Sequence, residues 1–435
     1  MRFPREQKVF LQAAKLLEQI KMDPDDLVCL FKLQKLLIRQ IVKVETKTRR
    51  LKKVRHRLKS AKSSVGKRLN FTRELKRKKA LEIKSLLESC TKRLNDYKQL
   101  LFLWRTFGDA IAGIYQSKYS LKHLFYDGEY NPKQDAGFLS GKEGFLLEYK
   151  SLVLGIKNGI PVLLCDLTNV VRHGDICLMG AEEPFLIELK SSKNQNARTQ
   201  RQGEQLKKLG SFLATDEAKN FRGGLNTKRV PYRNKEVNYF DEINYCLTTA
   251  MKKGVCLIKP ETGLSYISFT YQTFEEQKNK ITKVLEEVVS QTSMMMTLTP
   301  TETSLPLQSY VLSFSAENGC HFIQEDLHVF AIIDIAEIKK QYKQLGVHAV
   351  ALMDGIHAFQ LCLDEGDLMK GVIRVNEQLF LRIACEFQSL SWFTEETAYQ
   401  LNAIGDMQTD VDETTHGIFS KLSDDWLNPI DCLDI

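Results

Sequence analysis

Between Arg5 and Leu103 the chain has one proline, Pro24, and one glycine, Gly66. A stretch of that length almost free of helix breakers can hardly fold as anything but long helices. Within it Leu37, Ile41, Val44, Leu51, Leu58, Val65 and Leu69 fall on a 3-4 repeat whose remaining seam positions hold Thr48, Arg55 and Lys62. Such a repeat is the seam of a coiled coil. A second apolar series, Leu75, Leu86, Leu87, Cys90, Leu94, Tyr97 and Leu101, follows a break at Ser63-Ser64-Val65-Gly66. Two long helices in an antiparallel hairpin satisfy both series, and a seam for a second subunit is the alternative.

Charge is concentrated on the same segment. Residues 43–79 hold 17 Lys or Arg against Glu45 and Glu74, a local balance of +15 in a chain of net charge +8. Residues 406–435 carry eight acidic side chains against Lys421 alone. A structural coiled coil normally mixes both signs along its flanks, so a run of one sign is a footprint for a polyanion, most often nucleic acid. A solvated helix face is the plainer account. Lys52, Lys53, Arg55, Lys76, Arg77, Lys78 and Lys79 are candidate phosphate contacts, and Arg222, Lys228 and Arg229 form a second basic loop around Gly223-Gly224.

Several function classes are excluded as expectations. The longest apolar stretch, Ser151 to Cys165, is broken by Lys157 and two glycines, too polar for a membrane span. Arg2, Arg5, Lys8, Lys15 and Glu18 leave no apolar region for a signal peptide. Ten cysteines without a C-x-x-C pair suggest reduced core thiols rather than zinc or disulfides. No P-loop motif is present. A soluble, cytoplasmic protein with no membrane partner is the expectation.

From Gly141 the periodicity changes. Gly141 to Lys157 predicts a helix; Ile160 to Cys165, Asp175 to Met179 and Phe185 to Lys190 predict strands; Ala197 to Leu213 predicts a helix again. Val255 to Lys259 and Ser265 to Thr270 predict two more strands, and 273–291 a helix. The methionine- and threonine-rich residues 293–308 suggest a linker. The expected organisation is a basic helical arm over 1–125, an α/β core over 126–292, the linker, and an α+β module over 309–435 ending in the acidic tail.

The chemistry gathers in the core. Asp175 opens an apolar strand, and Glu188-Leu189-Lys190 closes another, with Glu188 and Lys190 on one face by the alternation of strand side chains. Charged groups in such surroundings are costly unless they meet a partner or a metal. Two converging carboxylates suit a hard divalent cation, Mg²⁺ before Mn²⁺.

Gly174-Asp175, twelve residues, then Glu188-x-Lys190 resembles the signature of the PD-(D/E)xK phosphodiesterase superfamily, with its restriction-endonuclease-like fold, over about residues 141–290. The resemblance implies that Asp175 and Glu188 bind the metal and that Lys190 is the catalytic lysine. It also implies a glutamate from the preceding helix, Glu148 rather than Glu143, as a further metal ligand, and a polar residue of the following helix, Gln202 or Gln205, in support. Gly174 stands where the family's name has proline. His173 is either a turn residue or a second ligand.

The function these residues suggest is a metal-dependent nuclease, with DNA the expected substrate and RNA the alternative. A role in bacterial defence or restriction would follow the usual employment of that fold. The rival reading is a non-catalytic nucleic-acid-binding or scaffolding protein whose coiled coil is the working part.

Overall fold

The computed structural model describes residues 2–67, 72–127, 131, 133, 137–189, 197–221, 225–271, 274–300, 309–364 and 372–405. The chain divides into two compact units, one of residues 8–229 with 301–312 and one of residues 1–7, 230–300 and 313–435.

The first unit begins with α1 (Gln7–Met22), α2 (Leu27–Lys67) and α3 (Arg73–Tyr115). At 41 and 43 residues, α2 and α3 are each about 60 Å long. The five residues between them span at most about 18 Å, so the two helices return antiparallel and pack as a hairpin. The 3-4 seam is what they bury: Leu37, Ile41, Val44, Thr48 and Val65 are buried, Leu51, Arg55 and Leu58 are half-buried, and Lys62 is exposed. The seam is therefore used within one chain. Thr72 starts α3 by accepting a hydrogen bond from the Leu75 N–H at 3.2 Å. Near the other end of the hairpin Phe10 of α1 stacks on Trp104 with ring centroids 4.2 Å apart.

After α4 (Lys118–His123) come α5 (Phe145–Lys157), β1 (Val162–Leu164), a single 3-10 turn (Cys165–Leu167), β2 (Ile176–Leu178), β3 (Phe185–Ile187) and α6 (Ala197–Thr215). The helix, three strands and helix expected from the periodicity are present in that order. The strands form an antiparallel sheet with β2 in the centre, pairing Leu164 with Ile176 and Ile176 with Ile187. Each strand is shorter than its apolar run. In particular β3 ends at Ile187, which corrects the expectation of a strand through Lys190: Glu188 follows the ladder, and Lys190 lies outside the described residues. A two-stranded ribbon, β4 (Glu217–Phe221) and β5 (Leu225–Lys228), completes the unit.

The hairpin grips this sheet through buried polar groups. Gln34 of α2 donates to Val162 O at 2.7 Å and accepts from Leu164 N–H at 3.2 Å, satisfying the free edge of β1 as a neighbouring strand would. Asp109 of α3 accepts from the N–H groups of Asn169 (2.7 Å) and Val170 (2.9 Å) and from Asn169 Nδ2 (2.8 Å). Between them Gly108 lets the helix approach so closely that a Cβ there would lie 2.0 Å from Leu167 O.

The second unit contains α7 (Phe240–Lys253), β6 (Val255–Glu261), β7 (Leu264–Thr270), α8 (Phe274–Val288) and β8 (Ser293–Leu298). The single turn α9 (Tyr310–Ser313) comes next in the chain, then α10 (Ala316–Ile323), β9 (Leu327–Asp334), α11 (Ile335–Gln344), β10 (His348–Ala351), β11 (His357–Cys362), β12 (Ile373–Asn376), α12 (Glu377–Cys385) and α13 (Leu390–Gly405). Strands β6, β7, β9 and β8, in that spatial order, form one antiparallel sheet, and β10 to β12 another. Val255, Ile267, Phe269, Ile281 and Ile332 make a core between the first sheet and α8.

Two expectations change here. The segment 293–308 is not all linker, because Ser293–Leu298 is an edge strand with Met294 opposite Ile333 and Met296 opposite Ala331. Three identical methionines hide the two-residue period: Met294 and Met296 are half-buried while Met295 is exposed. The expected boundary at residue 292 also falls within a sheet built from both sides of it. Residues 301–308 and the acidic tail, 406–435, lie outside the described residues. Among the described residues no helix is long and apolar enough to cross a membrane, and the nine described cysteines are all free, seven of them buried.

Gly108→Ala should destabilise the protein by about 1–3 kcal/mol, although alanine is the better helix former by about 1 kcal/mol, because the methyl group collides with Leu167 O. Urea unfolding checks the sign, and a stabilised variant would refute the contact. Asp109 supplies a second expectation. Burial raises its carboxyl to about 6 despite the bonds from Asn169 and Val170 that lower it. The folded chain therefore holds this proton more tightly than the unfolded one, so the contribution of Asp109 to stability is fully present below pH about 4 and falls by about 3 kcal/mol as pH rises through 6. Asp109→Asn does not titrate and should flatten that slope in unfolding measured from pH 4 to 7.

Candidate carboxylate centre

The three-stranded sheet delivers its acidic side chains to one place. Asp175 stands at the start of β2 after Gly174, whose φ of 74° favours glycine. The Asp175 backbone continues the ladder on both sides, its N–H donating to Ile187 O at 2.8 Å and its carbonyl accepting from Cys165 N–H at 3.0 Å. Its Oδ2 accepts from the Leu189 N–H at 2.8 Å, which leaves Oδ1 for a second donor. Asp166 leaves β1 in the 3-10 turn, and Glu148 comes from the first turn of α5.

One ammonium gathers all three. Lys142 Nζ lies 2.8 Å from Glu148 Oε1, 2.8 Å from Asp166 Oδ2 and 3.1 Å from Asp175 Oδ1. The three donors of an ammonium are thereby matched to three carboxylates, and the cluster keeps a formal charge of −2. The Glu148 side chain is only 4% exposed. Burial alone would lower the Lys142 pKa, but Asp166, then Glu148 and Asp175, outweigh it and hold the ammonium above its ordinary range. Burial raises Glu148; Lys142 opposes the shift, and Asp175 and Asp166 add to it.

Two of the residues singled out from the sequence, Glu148 and Asp175, thus meet in space, while Glu143 is exposed. Two others were not singled out. Asp166 carries a usable signal, an acid directly after the apolar run ending at Cys165; Lys142, in the turn before α5, carries none. Glu188 is half-buried, and its charge supports the ammonium of Lys133, whose pKa burial lowers. Lys133 Nζ lies 3.2 Å from His173 Nδ1, and His173 Nε2 lies 2.9 Å from Tyr126 O. The carbonyl requires a donor, so Nε2 carries the proton and Nδ1 accepts from Lys133. His173 is buried in this local framework.

The side chain of Gln202 is outside the described residues, and Gln205 is exposed one turn before Leu209, where the inward face of α6 begins. In the basic segment Lys52, Lys53, Arg77 and Lys78 are exposed and Arg55, Lys76 and Lys79 half-buried. The second basic loop differs from expectation. Arg222 is outside the described residues, Lys228 pairs with Glu217 across the ribbon at 2.7 Å, and Arg229 is turned inward. The Arg229 guanidinium bonds Glu183 (2.7 Å), Asp216, Ser120 Oγ (3.0 Å) and Leu213 O (2.7 Å), so its charge serves the fold instead of a phosphate.

Lys142→Met should cost about 3 kcal/mol at pH 7, because it leaves like charges crowded without their counter-ion, and clearly less at pH 4.5, where the raised Glu148 takes up a proton. Equal losses at both pH values in thermal unfolding would show that the ammonium is not a counter-ion. Comparison of the chain with protein-family models, with characterised proteins and with solved structures finds no match.

Proposed function

We propose that the protein is a divalent-metal-dependent nuclease whose working centre is the group Glu148, Asp166 and Asp175. One observation carries this reading: among the described residues, three carboxylates on three separate elements turn towards one cationic point, and a single ammonium leaves them two charges short of neutrality. Hard oxygen donors and surplus negative charge fit Mg²⁺ or Mn²⁺, which Glu148, Asp166 and Asp175 would hold. Bound there, such an ion would polarise a phosphoryl oxygen and acidify a water. The chain's own groups prepare that setting. The Leu189 N–H fixes the rotamer of Asp175, and Glu148 is oriented by its place in the first turn of α5. Lys142, kept protonated by its neighbours, has all three donors on these carboxylates, and only once a bound cation took its place could it donate to the charge that develops on a phosphorane. Glu188 and Lys190 keep, on the resemblance, their roles as metal ligand and catalytic lysine. DNA is the proposed substrate, drawn in by the basic hairpin, and a defence or restriction role is the proposed setting.

A specific observation favours a second reading. Among the described residues no group of three or more His, Cys, Asp or Glu is placed to hold a metal ion, and Lys142 occupies the point that the three carboxylates share. A non-catalytic nucleic-acid-binding scaffold would keep such a cluster as a salt-bridge hub.

The decisive experiment incubates pure protein with plasmid, linear and single-stranded DNA and RNA, with Mg²⁺, Mn²⁺ or EDTA. Cleavage should require the metal and fall at least a hundredfold in Asp175→Ala and Asp166→Asn. Mn²⁺ should raise the melting temperature of the wild type and not of Asp175→Ala. Cleavage in EDTA, or an active Asp175→Ala, would sink the assignment; inert protein with no metal-dependent melting shift would leave the scaffold.

A further inference from the structure

A cavity of about 410 Å³ opens in the first unit where α2 and α3 meet the 166–172 loop. Its wall carries five cationic side chains, Lys52 and Arg55 from α2, Lys98 and Arg105 from α3, and Arg172 from the loop. Among the described lining residues there is no Asp or Glu. Behind the wall Arg105 lies 3.8 Å from Glu45, and Arg172 acts on Asp109. Both guanidiniums are also held in place by backbone carbonyls: Arg105 Nε donates to Asp166 O at 3.2 Å, and Arg172 Nε to Asn169 O at 2.7 Å. Carbonyls fix orientation without neutralising charge.

The remaining wall is aromatic. Phe102, Phe125 and Phe138 line the cavity; Arg172 sits 4.2 Å over the Phe125 ring and Lys52 5.5 Å from that of Phe138. Cations ask for phosphate, and flat apolar faces ask for a base. The volume lies in the range of sites that enclose a small ligand.

We propose that this cavity seats a nucleotide unit, phosphate against Arg55 and Lys98 and base against Phe138. The unit comes either from a free nucleotide or from a strand of nucleic acid, and the proposal holds whether or not the carboxylate centre cleaves. Its wall and that centre share one loop, since Asp166, whose carbonyl holds Arg105, also presents its carboxylate to Lys142.

The test titrates full-length protein in EDTA with ADP, with pyrophosphate and with a 5′-phosphorylated thymidine octamer at fixed, near-physiological salt. Arg55→Ala and Phe138→Ala are compared with a control in which Lys76, Arg77, Lys78 and Lys79 are Gln. Both single changes are at half-buried positions, and unfolding curves check that they fold. ADP binding weakened at least tenfold by each single change, and unaffected by the control, supports a free nucleotide. For the octamer alone, a loss of at least tenfold from each single change that exceeds the loss in the control, whose four changes remove candidate phosphate contacts, supports a strand. Binding of neither ligand, equal losses in the control, or pyrophosphate bound as tightly as ADP with no effect of Phe138→Ala overturns the proposal.

Discussion

The structure around the carboxylate centre depends on how the long helical hairpin is fastened to a sheet of only three short strands. Strands of three residues bury too little to hold a sheet together. The hairpin supplies what is missing, with Gln34 standing in for a fourth strand at the edge of β1 and Asp109 closing the loop that leaves it. Each of these groups is buried, so losing one partner would leave the other unsatisfied at about 1–3 kcal/mol. Gly108 belongs to the same device, because only a residue without a side chain lets α3 come close enough to the Cys165–Leu167 turn. Asp166 projects from that turn and Asp175 follows the loop, so fastening the hairpin and placing the carboxylates are one event.

The electrostatics of that centre differ from those of two ion clusters built on arginine, one partly exposed and one buried. Arg229 meets Glu183 and Asp216, and Arg382 meets Glu236 and Glu386, each pairing a planar five-donor guanidinium with two carboxylates. Such a group can satisfy both partners in one plane. Lys142 instead spreads three donors over three carboxylates, so several carboxylate oxygens in the group go without a bond from it. A cluster whose charge is only partly compensated is a poor stabiliser, and a natural place for a further cation.

What the sequence reveals follows the range of the interactions. Periodicity shows the hairpin seam and the helix, strand, strand, strand, helix order, because both arise from neighbours within a few residues. Asp175 is legible for the same reason, as an acid at the start of an apolar strand, whereas Glu148 is reached only through the family resemblance. Lys142 is not legible, since its meaning lies in contacts with residues 24 and 33 positions away. Arg229 misleads in the opposite direction: beside Lys228 it reads as a basic loop, while the acids that claim it, Asp216 and Glu183, lie 13 and 46 residues earlier. In β8 the three methionines conceal an alternation that only pairing with β9 brings out.

On the proposed reading the basic hairpin and the acidic centre pull oppositely on the same polyanion. Residues 43–79 attract phosphate with a charge of +15, whereas the carboxylate group, at −2 with Lys142 in place, repels it over short range. On the proposed reading the two are linked, for neutralising the centre with a divalent cation removes the repulsion and must strengthen nucleic-acid binding, and by reciprocity bound nucleic acid must strengthen the hold on the cation. Attraction along the hairpin is screened by salt, while the partly buried centre is screened far less. Salt and divalent cation therefore act on different parts of the same encounter, the first on how often a strand arrives and the second on whether it can settle at the carboxylates.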